Sequence, residues 1–560
     1  MHADAVPLNK ILDSNLQMII PIFQREYSWE KEQVKTLWED IIKVYKSSEK
    51  NGKEPIHFLG PIVRVEVSTS SVDTRKLWLI DGQQRMITLM VLLSCLRNAL
   101  KDKDEAVVRK IESGYLLNYQ EEGENRNKLV PSEGDRDNFR KIIIGQKDLT
   151  AGKLKDTFDL LTKKIENNKD VDFEKLRGIV INRLILVNID VDKHENPYLI
   201  FESLNAKGTP LAPADLIRNY IFMKIPGEEK QKELYKEYWR PMESSLVNEL
   251  NGFFWRYSLK DGTFVKWDRT YANLKTELET NTEKNAEDEL KKLFEYSLFY
   301  RKLISPDEEK NEELRKRHNR HKKWEIGTAY PFLLNVYKDY SNNKISSDQF
   351  CEILDIIESF VVRRFFCKEK TNKLNTLFIG LHVKIDKNDF IGSLKSNLLK
   401  ENWPNNEKFI EGLKTFPIYT SGTNKCRLVL DSLEISDGHK EQVDLNNEKI
   451  SIEHIMPEAD NNSEKLSNEW KNMLGQNYRE VHNKYLHTIG NLTLTGYNQQ
   501  LFTKPFEEKR EILKESHFQL NRYFENLSKW DEQELLKRAE VLSQKAIHIW
   551  KHPEVEKWFT

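Results

Sequence analysis

This sequence has few cysteines, almost no net charge and no long apolar run, and each of these features excludes a class of protein. The four cysteines lie far apart without a C-x-x-C pair, so neither a disulfide framework nor a structural zinc site is expected. The 88 basic and 89 acidic residues give a net charge of −1, so no global field draws the protein onto nucleic acid. The longest apolar run, about Met86 to Leu96, is shorter than the ~20 residues of a bilayer span.

The remaining composition indicates a helix-rich, multidomain α+β protein. Only 22 of the 560 residues are glycine, whereas 32% are charged, which favours helices with solvated faces. At about 150 residues per domain the chain corresponds to roughly three to four domains. The N-terminus lacks a basic segment followed by an apolar core, so we expect a cytoplasmic protein without a membrane partner.

Changes of pattern along the chain predict three regions. Residues 1–225 mix strands and helices, residues 226–405 are almost wholly helical, and residues 406–560 carry a second polar cluster followed by helices. Apolar segments at 57–67 and 75–81, separated by turn residues, predict a hairpin. A further strand, RLILVNIDV, precedes a helical stretch that ends near the boundary of the first region.

The first region contains three polar clusters that ordinary core patterns do not explain. They lie at Gln24 and Arg25 before a helix, at Asp81 to Arg85 between a strand and a helix, and around Lys207 in a later loop. A strand that ends in a glycine turn and opens a helix presents free N–H groups to an anion. Such turns are also common without a ligand, and a G-x-x-x-x-G-K-[ST] loop is absent, so these residues alone leave the choice open.

The strongest basic run, RKRHNRHKKW at 315–324, also has two interpretations. Runs of this kind most often form a solvated helix face. The alternative is contact with DNA phosphates, where each neutralised phosphate adds salt-dependent affinity.

The third region carries residue types suited to phosphodiester hydrolysis. Glu453 and His454 are adjacent in E-H-x-x-P, and Asn491 and Asn498 follow within and after G-N-L-T-L. Such hydrolysis requires a base to activate water and a divalent cation to offset developing charge. Histidine supplies the base near neutral pH, and carboxylate and amide oxygens suit Mg²⁺. His487, between the two motifs, is a further candidate for the same face.

The motifs of the first region resemble the N-terminal domain of GmrSD-type restriction endonucleases. FQREYSW, FLGPIV, IDGQQR and FESLNAKGTPL occur in the order and spacing of that family, and DRDNF and VVRRFFC extend the likeness through most of the first 400 residues. The resemblance implies a ParB/sulfiredoxin-like domain that binds and hydrolyses nucleoside triphosphates. It assigns hydrolysis to Asp81, Gln84 and Arg85. It assigns nucleotide binding to a larger set: Gln24, Arg25, Gly82, Gln83, Asn205 and Lys207.

The motifs of the third region are similar to the HNH, or His-Me finger (ββα-metal), nuclease domain of the same family. The resemblance implies that His454 is the general base and that Glu453 and Asn498 bind Mg²⁺ or another divalent cation. It also implies that Asn491 orients the imidazole and that Lys509 contacts phosphate.

Together these resemblances imply a single-chain, type IV-like DNA endonuclease or nickase in phage defence. A nucleoside triphosphate would gate cleavage of modified phage DNA, and the family likeness suggests a homodimer. One alternative is a nucleotide-switched DNA-binding regulator with a vestigial nuclease site. Another is a nuclease that attacks RNA or host DNA to abort infection.

Overall fold

The computed structural model divides into two compact units. The first comprises Met1–Asn251 and Asp268–Lys292, and the second comprises Gly252–Trp267 and Leu293–Thr560. The division into three regions at residues 225 and 405 stays a prediction. The structure describes residues 2–12, 15–51, 55–66, 74–168, 170–191, 212–280, 285–436, 438, 450–496 and 498–553.

Six strands of the first unit form one mixed sheet, in the order β1-β6-β3-β4-β2-β5. The strands are β1 (His2–Pro7), β2 (Leu16–Ile19), β3 (His57–Glu66), β4 (Arg75–Asp81), β5 (Leu129–Val130) and β6 (Leu184–Val191). β3 pairs antiparallel with β4, as the predicted hairpin requires. The strand predicted from RLILVNIDV is confirmed as β6, which lies parallel to β3 and antiparallel to β1.

One deeply buried helix, Gln83–Leu100, follows β4 and explains the long apolar run of the sequence. Its residues pack into the main core of the first unit, together with Leu77 and Leu79 of β4. The helices up to residue 280 are Leu8–Leu12, Lys31–Asn51, Gln83–Leu100, Glu105–Ile111, Arg136–Ile144, Lys153–Glu166, Phe173–Arg183, Pro213–Lys224, Glu228–Leu234, Arg240–Ser245, Leu250–Leu259 and Thr270–Thr280.

Helices also dominate the rest of the chain. Over the described part of residues 226–405 the predicted helical character is confirmed. Ser347–Phe366, for example, begins at a capping box between Ser346 and Gln349, which satisfies two main-chain N–H groups. The later helices are Ala286–Ile304, Glu312–Lys323, Tyr330–Ser341, Ser347–Phe366, Leu374–Lys384, Phe390–Leu399, Asn406–Thr415, Ile418–Ser421, Thr423–Ser436, Asn468–Leu474, Tyr478–Tyr485, Asn498–Leu501, Phe506–Lys514 and Glu532–Ile549. None of the described helices combines the length and apolarity needed to cross a bilayer.

The basic run of the sequence forms most of the helix Glu312–Lys323. Arg317 lies 3.0 Å from a carboxylate oxygen of Asp355, and Arg320 lies 2.5 Å from that of Glu358. Both acidic partners belong to the neighbouring helix, so these two arginines contribute to helix packing and their charges are compensated. The geometry therefore favours a structural role for this run.

A small two-stranded sheet lies in the C-terminal part of the second unit. β7 (Ser451–His454) and β8 (Leu492–Thr495) pair antiparallel, with His454 opposite Leu492. The short helix Asn498–Leu501 follows β8 along the chain. A separate apolar cluster that includes Met456 supports this part of the fold. The E-H pair therefore ends a strand, and His454 is the last residue of β7.

Candidate functional site

The predicted strand–glycine–helix turn is present at the end of β4. Asp81 is the last residue of β4, and Gly82 adopts φ +85° immediately before the helix that begins at Gln83. A Cβ atom on Gly82 would lie 2.6 Å from Cγ2 of Ile62. The left-handed conformation and the close approach to β3 both require glycine here.

Gln84 connects this helix to the segment that carries the first polar cluster. Its Oε1 accepts a hydrogen bond from the main-chain N–H of Ser28 at 2.7 Å, and its Nε2 donates to the carbonyl of Glu26 at 3.3 Å. Gln84 is buried. Its amide is therefore hydrogen-bonded to the main chain of Glu26 and Ser28. The resemblance, by contrast, implies that Gln84 takes part directly in hydrolysis.

Arg85 is likewise hydrogen-bonded to the main chain, here to an irregular part of β3. Its Nη1 and Nη2 donate to the carbonyls of Leu59 at 3.0 Å and Pro61 at 2.6 Å. A Cβ atom on Gly60 would lie 2.5 Å from Nη1, so glycine leaves the space that the guanidinium fills. The Asp81 carboxylate lies 3.7 Å from Nη2. Burial raises the pKa of Asp81, and the charge of Arg85 opposes that rise.

Gln24 and Arg25 each have a buried hydrogen-bond donor without a partner among the described residues. Gln83 Nε2 donates to Gln24 Oε1 at 3.2 Å, which brings two predicted nucleotide-binding residues together. Gln24 Nε2 and Arg25 Nε are buried and have no hydrogen-bond partner among the described residues. Because a buried donor without a partner costs about 1–3 kcal/mol, these atoms favour an acceptor-rich ligand. Asn205 and Lys207 lie outside the described residues.

A cavity of about 600 Å³ lies beside β7 in the second unit. Its lining includes Tyr419, Glu453, His454, Glu458 and Asn461. An imidazole, two carboxylates, an amide and a phenol thus share one cleft. This combination provides a base and oxygen donors for a cation within a space that admits part of a polynucleotide.

His454 contacts other side chains of the cleft through its ring. Its Nε2 lies 3.2 Å from Nδ1 of His487 and 3.8 Å from a carboxylate oxygen of Glu458. The Tyr419 ring meets it edge-on, with centroids 4.5 Å apart. Burial, reinforced by the neighbouring His487, lowers the pKa of His454 to about 3. The imidazole is therefore uncharged at physiological pH, although a pKa this far below neutrality also makes it a weak proton acceptor.

Glu453 is tied to Lys509 in a buried ion pair. Lys509 Nζ lies 2.6 Å from Glu453 Oε1 and donates to the carbonyl of His454 at 2.7 Å. Burial raises the pKa of Glu453 and lowers that of Lys509, and their contact opposes both shifts. Lys509 is 0% exposed, so the phosphate contact implied for it is corrected: the side chain anchors the end of β7.

Asn491 anchors the segment that follows His454. Its Oδ1 accepts hydrogen bonds from the main-chain N–H of Met456 at 2.7 Å and from Nε1 of Trp530 at 3.2 Å. Its Nδ2 donates to the carbonyls of Met456 and Leu486, each at 2.9 Å. The implied contact with the imidazole is not among these bonds; the amide instead holds the main chain at Met456, two residues after His454.

The sequence indicates some of the remaining candidate residues and not others. Asn498 is the first residue of a short helix, and its side chain lies outside the described residues. Glu458 was not predicted, although its place four residues after His454 is a local signal. Tyr419 and Asn461 carry no recognisable motif, and only the fold brings Tyr419 to His454 and Asn461 to His487.

Two comparisons with known families cover both sites. Residues 8–222 match the family described as GmrSD restriction endonuclease, N-terminal domain, and residues 403–545 match GmrSD restriction endonucleases, C-terminal domain. Together the matches span more than half of the chain and include the Gly82 turn and the His454 cleft. No curated protein matches the chain.

Proposed function

The chain belongs to the GmrSD restriction endonuclease family, and we propose that His454 is the general base of its DNA-cleaving site. Family membership makes the protein a nuclease whose substrate is DNA. One observation carries the assignment of the site: the imidazole of His454 lines a cleft that is also lined by carboxylates. An HNH-type reaction in this cleft is the chemistry that these groups support best.

In this proposal the imidazole of His454 accepts a proton from the attacking water. Asn491 and Lys509 hold the main chain on either side of that imidazole, so both act as positioning residues. Correct placement of a base matters because general-base catalysis typically contributes 10²–10⁴-fold and depends on hydrogen-bond reach.

A divalent cation such as Mg²⁺ fits the donor set of the cleft. Glu453 and Glu458 place carboxylate oxygens on its lining, and hard cations prefer oxygen ligands. Glu453 and Asn498 are the proposed ligands, with Glu453 sharing its charge between the cation and Lys509. When bound, the cation supplies charge stabilisation at the phosphate and the leaving oxygen.

We also propose that the Gly82 turn binds a nucleoside triphosphate and hydrolyses it. The unpartnered donors of Gln24 and Arg25 support this, because phosphate oxygens would satisfy them. Asp81 is the proposed water-orienting or metal-associated carboxylate. Gln84 and Arg85 would act by holding the surrounding loops, and Gly82, Gln83, Asn205 and Lys207 complete the proposed binding set.

Nucleotide binding would regulate cleavage through linkage between the two sites. The proposed biological role is restriction of modified phage DNA in the cytoplasm, by a ParB/sulfiredoxin-like domain coupled to an HNH nuclease domain. A homodimer is proposed from family resemblance, and light scattering of the purified chain tests it.

The most informative experiment digests matched modified and unmodified phage DNA with Mg²⁺, with and without each triphosphate. Cleavage of modified DNA only when a triphosphate is present is the expected result. Equal cleavage of unmodified DNA without nucleotide would contradict both dependences. Binding without cleavage would favour the nucleotide-switched regulator, and preferential loss of RNA or host DNA would favour the abortive nuclease.

A further inference from the structure

Three side chains in the cleft form a compact set of nitrogen and oxygen donors. His454 Nε2 lies 3.2 Å from His487 Nδ1 and 3.8 Å from a carboxylate oxygen of Glu458. One donor atom from each of the three residues lies within 4.8 Å of the other two. This set differs from Glu453 and Asn498, the pair proposed to hold the Mg²⁺ of the nuclease.

The spacing of the two ring nitrogens suits a tetrahedral metal ion. Zinc–nitrogen bonds of about 2.0–2.1 Å at a tetrahedral angle place two nitrogens about 3.3 Å apart. The observed separation between His454 and His487 is 3.2 Å. Glu458 needs only a side-chain adjustment to complete the set, and 42% of its side chain is exposed, which leaves room for that movement.

The donor types also select the class of metal. Two imidazoles and one carboxylate are the ligands of catalytic and inhibitory zinc sites, whereas Mg²⁺ prefers oxygen donors and retains its waters. Imidazole suits zinc and related borderline transition metals. The cluster of His454, His487 and Glu458 is therefore matched to a different ion from the one that the nuclease reaction uses.

Asn461 and Tyr419 hold His487 in the orientation that such a site requires. Asn461 Oδ1 lies 3.1 Å from His487 Nε2. When this oxygen accepts the Nε2–H, the lone pair of Nδ1 is directed at His454, as is usual for metal-bound histidine. The Tyr419 ring stacks on His487 with centroids 5.6 Å apart and an interplanar angle of 8°. The second histidine is thus oriented before any ion arrives.

We propose that His454, His487 and Glu458 form a site for Zn²⁺ or a similar borderline transition metal, which inhibits the nuclease by occupying the imidazole of His454. Binding of the ion rests on this cluster alone, whereas its inhibitory effect rests on the proposed role of His454 as the base.

Calorimetric titration of the full, tag-free chain with Zn²⁺ in excess Mg²⁺ tests the binding. The chain is first treated with EDTA and dialysed. One strong site per chain is expected, with the affinity lowered at least about 100-fold in His487→Ala and about 10–100-fold in Asn461→Ala. Glu458→Gln should also weaken binding. His517→Ala, at an exposed histidine of the same part of the chain, should leave the affinity unchanged.

The site is overturned if wild type binds no Zn²⁺, or if the ligand variants bind it as tightly as wild type. Glu458→Gln and Asn461→Ala alter an incompletely buried and an exposed position, so they decide the question even if His487→Ala fails to fold.

Cleavage assays in Mg²⁺ with added Zn²⁺ test inhibition separately. The zinc concentration for half-inhibition should rise in Asn461→Ala by the same factor as its dissociation constant. An unchanged half-inhibitory concentration would overturn the inhibitory role. If the wild type cuts no DNA in Mg²⁺ alone, the proposed function fails, while the titration still decides the metal site.

Discussion

The Gly82 turn and the His454 cleft use their motif residues differently. In the turn, Gln84 and Arg85 form hydrogen bonds with main-chain groups, and the donors without partners belong to Gln24 and Arg25. In the cleft, the imidazole of His454 faces other side chains. The main chain around it is anchored by Asn491 and Lys509, which are distant in sequence. The comparison teaches that a motif contains both ligand-facing and scaffold residues, and that only their contacts separate the two.

Substitution of Asn491, whose amide anchors the main chain of the cleft, should have the largest effect on stability. Asn491→Ala removes hydrogen bonds to Met456, Leu486 and Trp530 and leaves four buried polar groups unpaired. We expect at least about 4 kcal/mol of destabilisation, because each such group costs about 1–3 kcal/mol. Thermal unfolding beside Asn472→Ala, an exposed control, measures it. A loss under 1 kcal/mol would contradict the anchoring role.

The buried pair of Lys509 and Glu453 provides the next test. Lys509→Met leaves the Glu453 charge buried without its partner, and the loss of a buried partner costs about 3 kcal/mol or more. The double variant Glu453→Gln/Lys509→Met should recover part of that loss, because no charge is then buried. Denaturant unfolding of both, with exposed Lys514→Met as the control, gives the values. No recovery in the double variant would argue against the ion pair.

Arg85 and Arg25 separate scaffold from ligand contact within the turn. Arg85→Ala should cost about 2 kcal/mol because it leaves the carbonyls of Leu59 and Pro61 unpaired, and it should also abolish triphosphate hydrolysis. Arg25→Ala should leave the fold at least as stable, because its buried Nε has no partner to lose, while it weakens binding of a non-hydrolysable triphosphate. Calorimetry and thermal unfolding measure both properties. Equal destabilisation by the two substitutions would remove the distinction.

Two buried histidines of the second unit and two buried carboxyls of the first should respond oppositely to mild acid. Burial lowers the pKa of His318 in the second unit to about 3 and also lowers that of His321. The unfolded chain therefore binds more protons below pH 6.5, and stability falls as the pH drops from there towards 3. In the first unit burial raises the pKa of Asp81 and Asp135, so these two carboxyls stabilise the folded state as the pH falls.

The expected loss from His318 between pH 7 and pH 5 is about 2 kcal/mol. Unfolding of wild type and His318→Gln at both pH values measures it, because glutamine does not titrate. An equal loss of stability in the two proteins would show that His318 does not contribute to the acid sensitivity of the second unit.

Local patterns predicted much of the fold around both sites. The apolar alternation before Asp81 and the glycine after it define β4 and the turn, because strand periodicity and positive φ are local properties. The helices between the two sites follow from helical periodicity, which is also a local signal. These features need no knowledge of distant residues.

The partners of the site residues could not be predicted in this way. Asn491 was expected at the imidazole, but its amide is surrounded by Met456 and Trp530 through packing that only the fold determines. Lys509 carries a charge suited to phosphate, yet the helix Phe506–Lys514 directs it into a buried pair. A residue type shows what a side chain is able to bind, whereas its neighbours decide what it does bind.

The rate of DNA cleavage by His454→Ala decides whether His454 is the general base of the nuclease. Single-turnover cleavage of plasmid DNA in Mg²⁺ is measured for wild type, His454→Ala and the exposed control His517→Ala, with folding checked by circular dichroism. We expect at least about a 100-fold loss for His454→Ala, as for removal of a general base, and none for the control. A folded His454→Ala that cuts as fast as wild type would contradict the account.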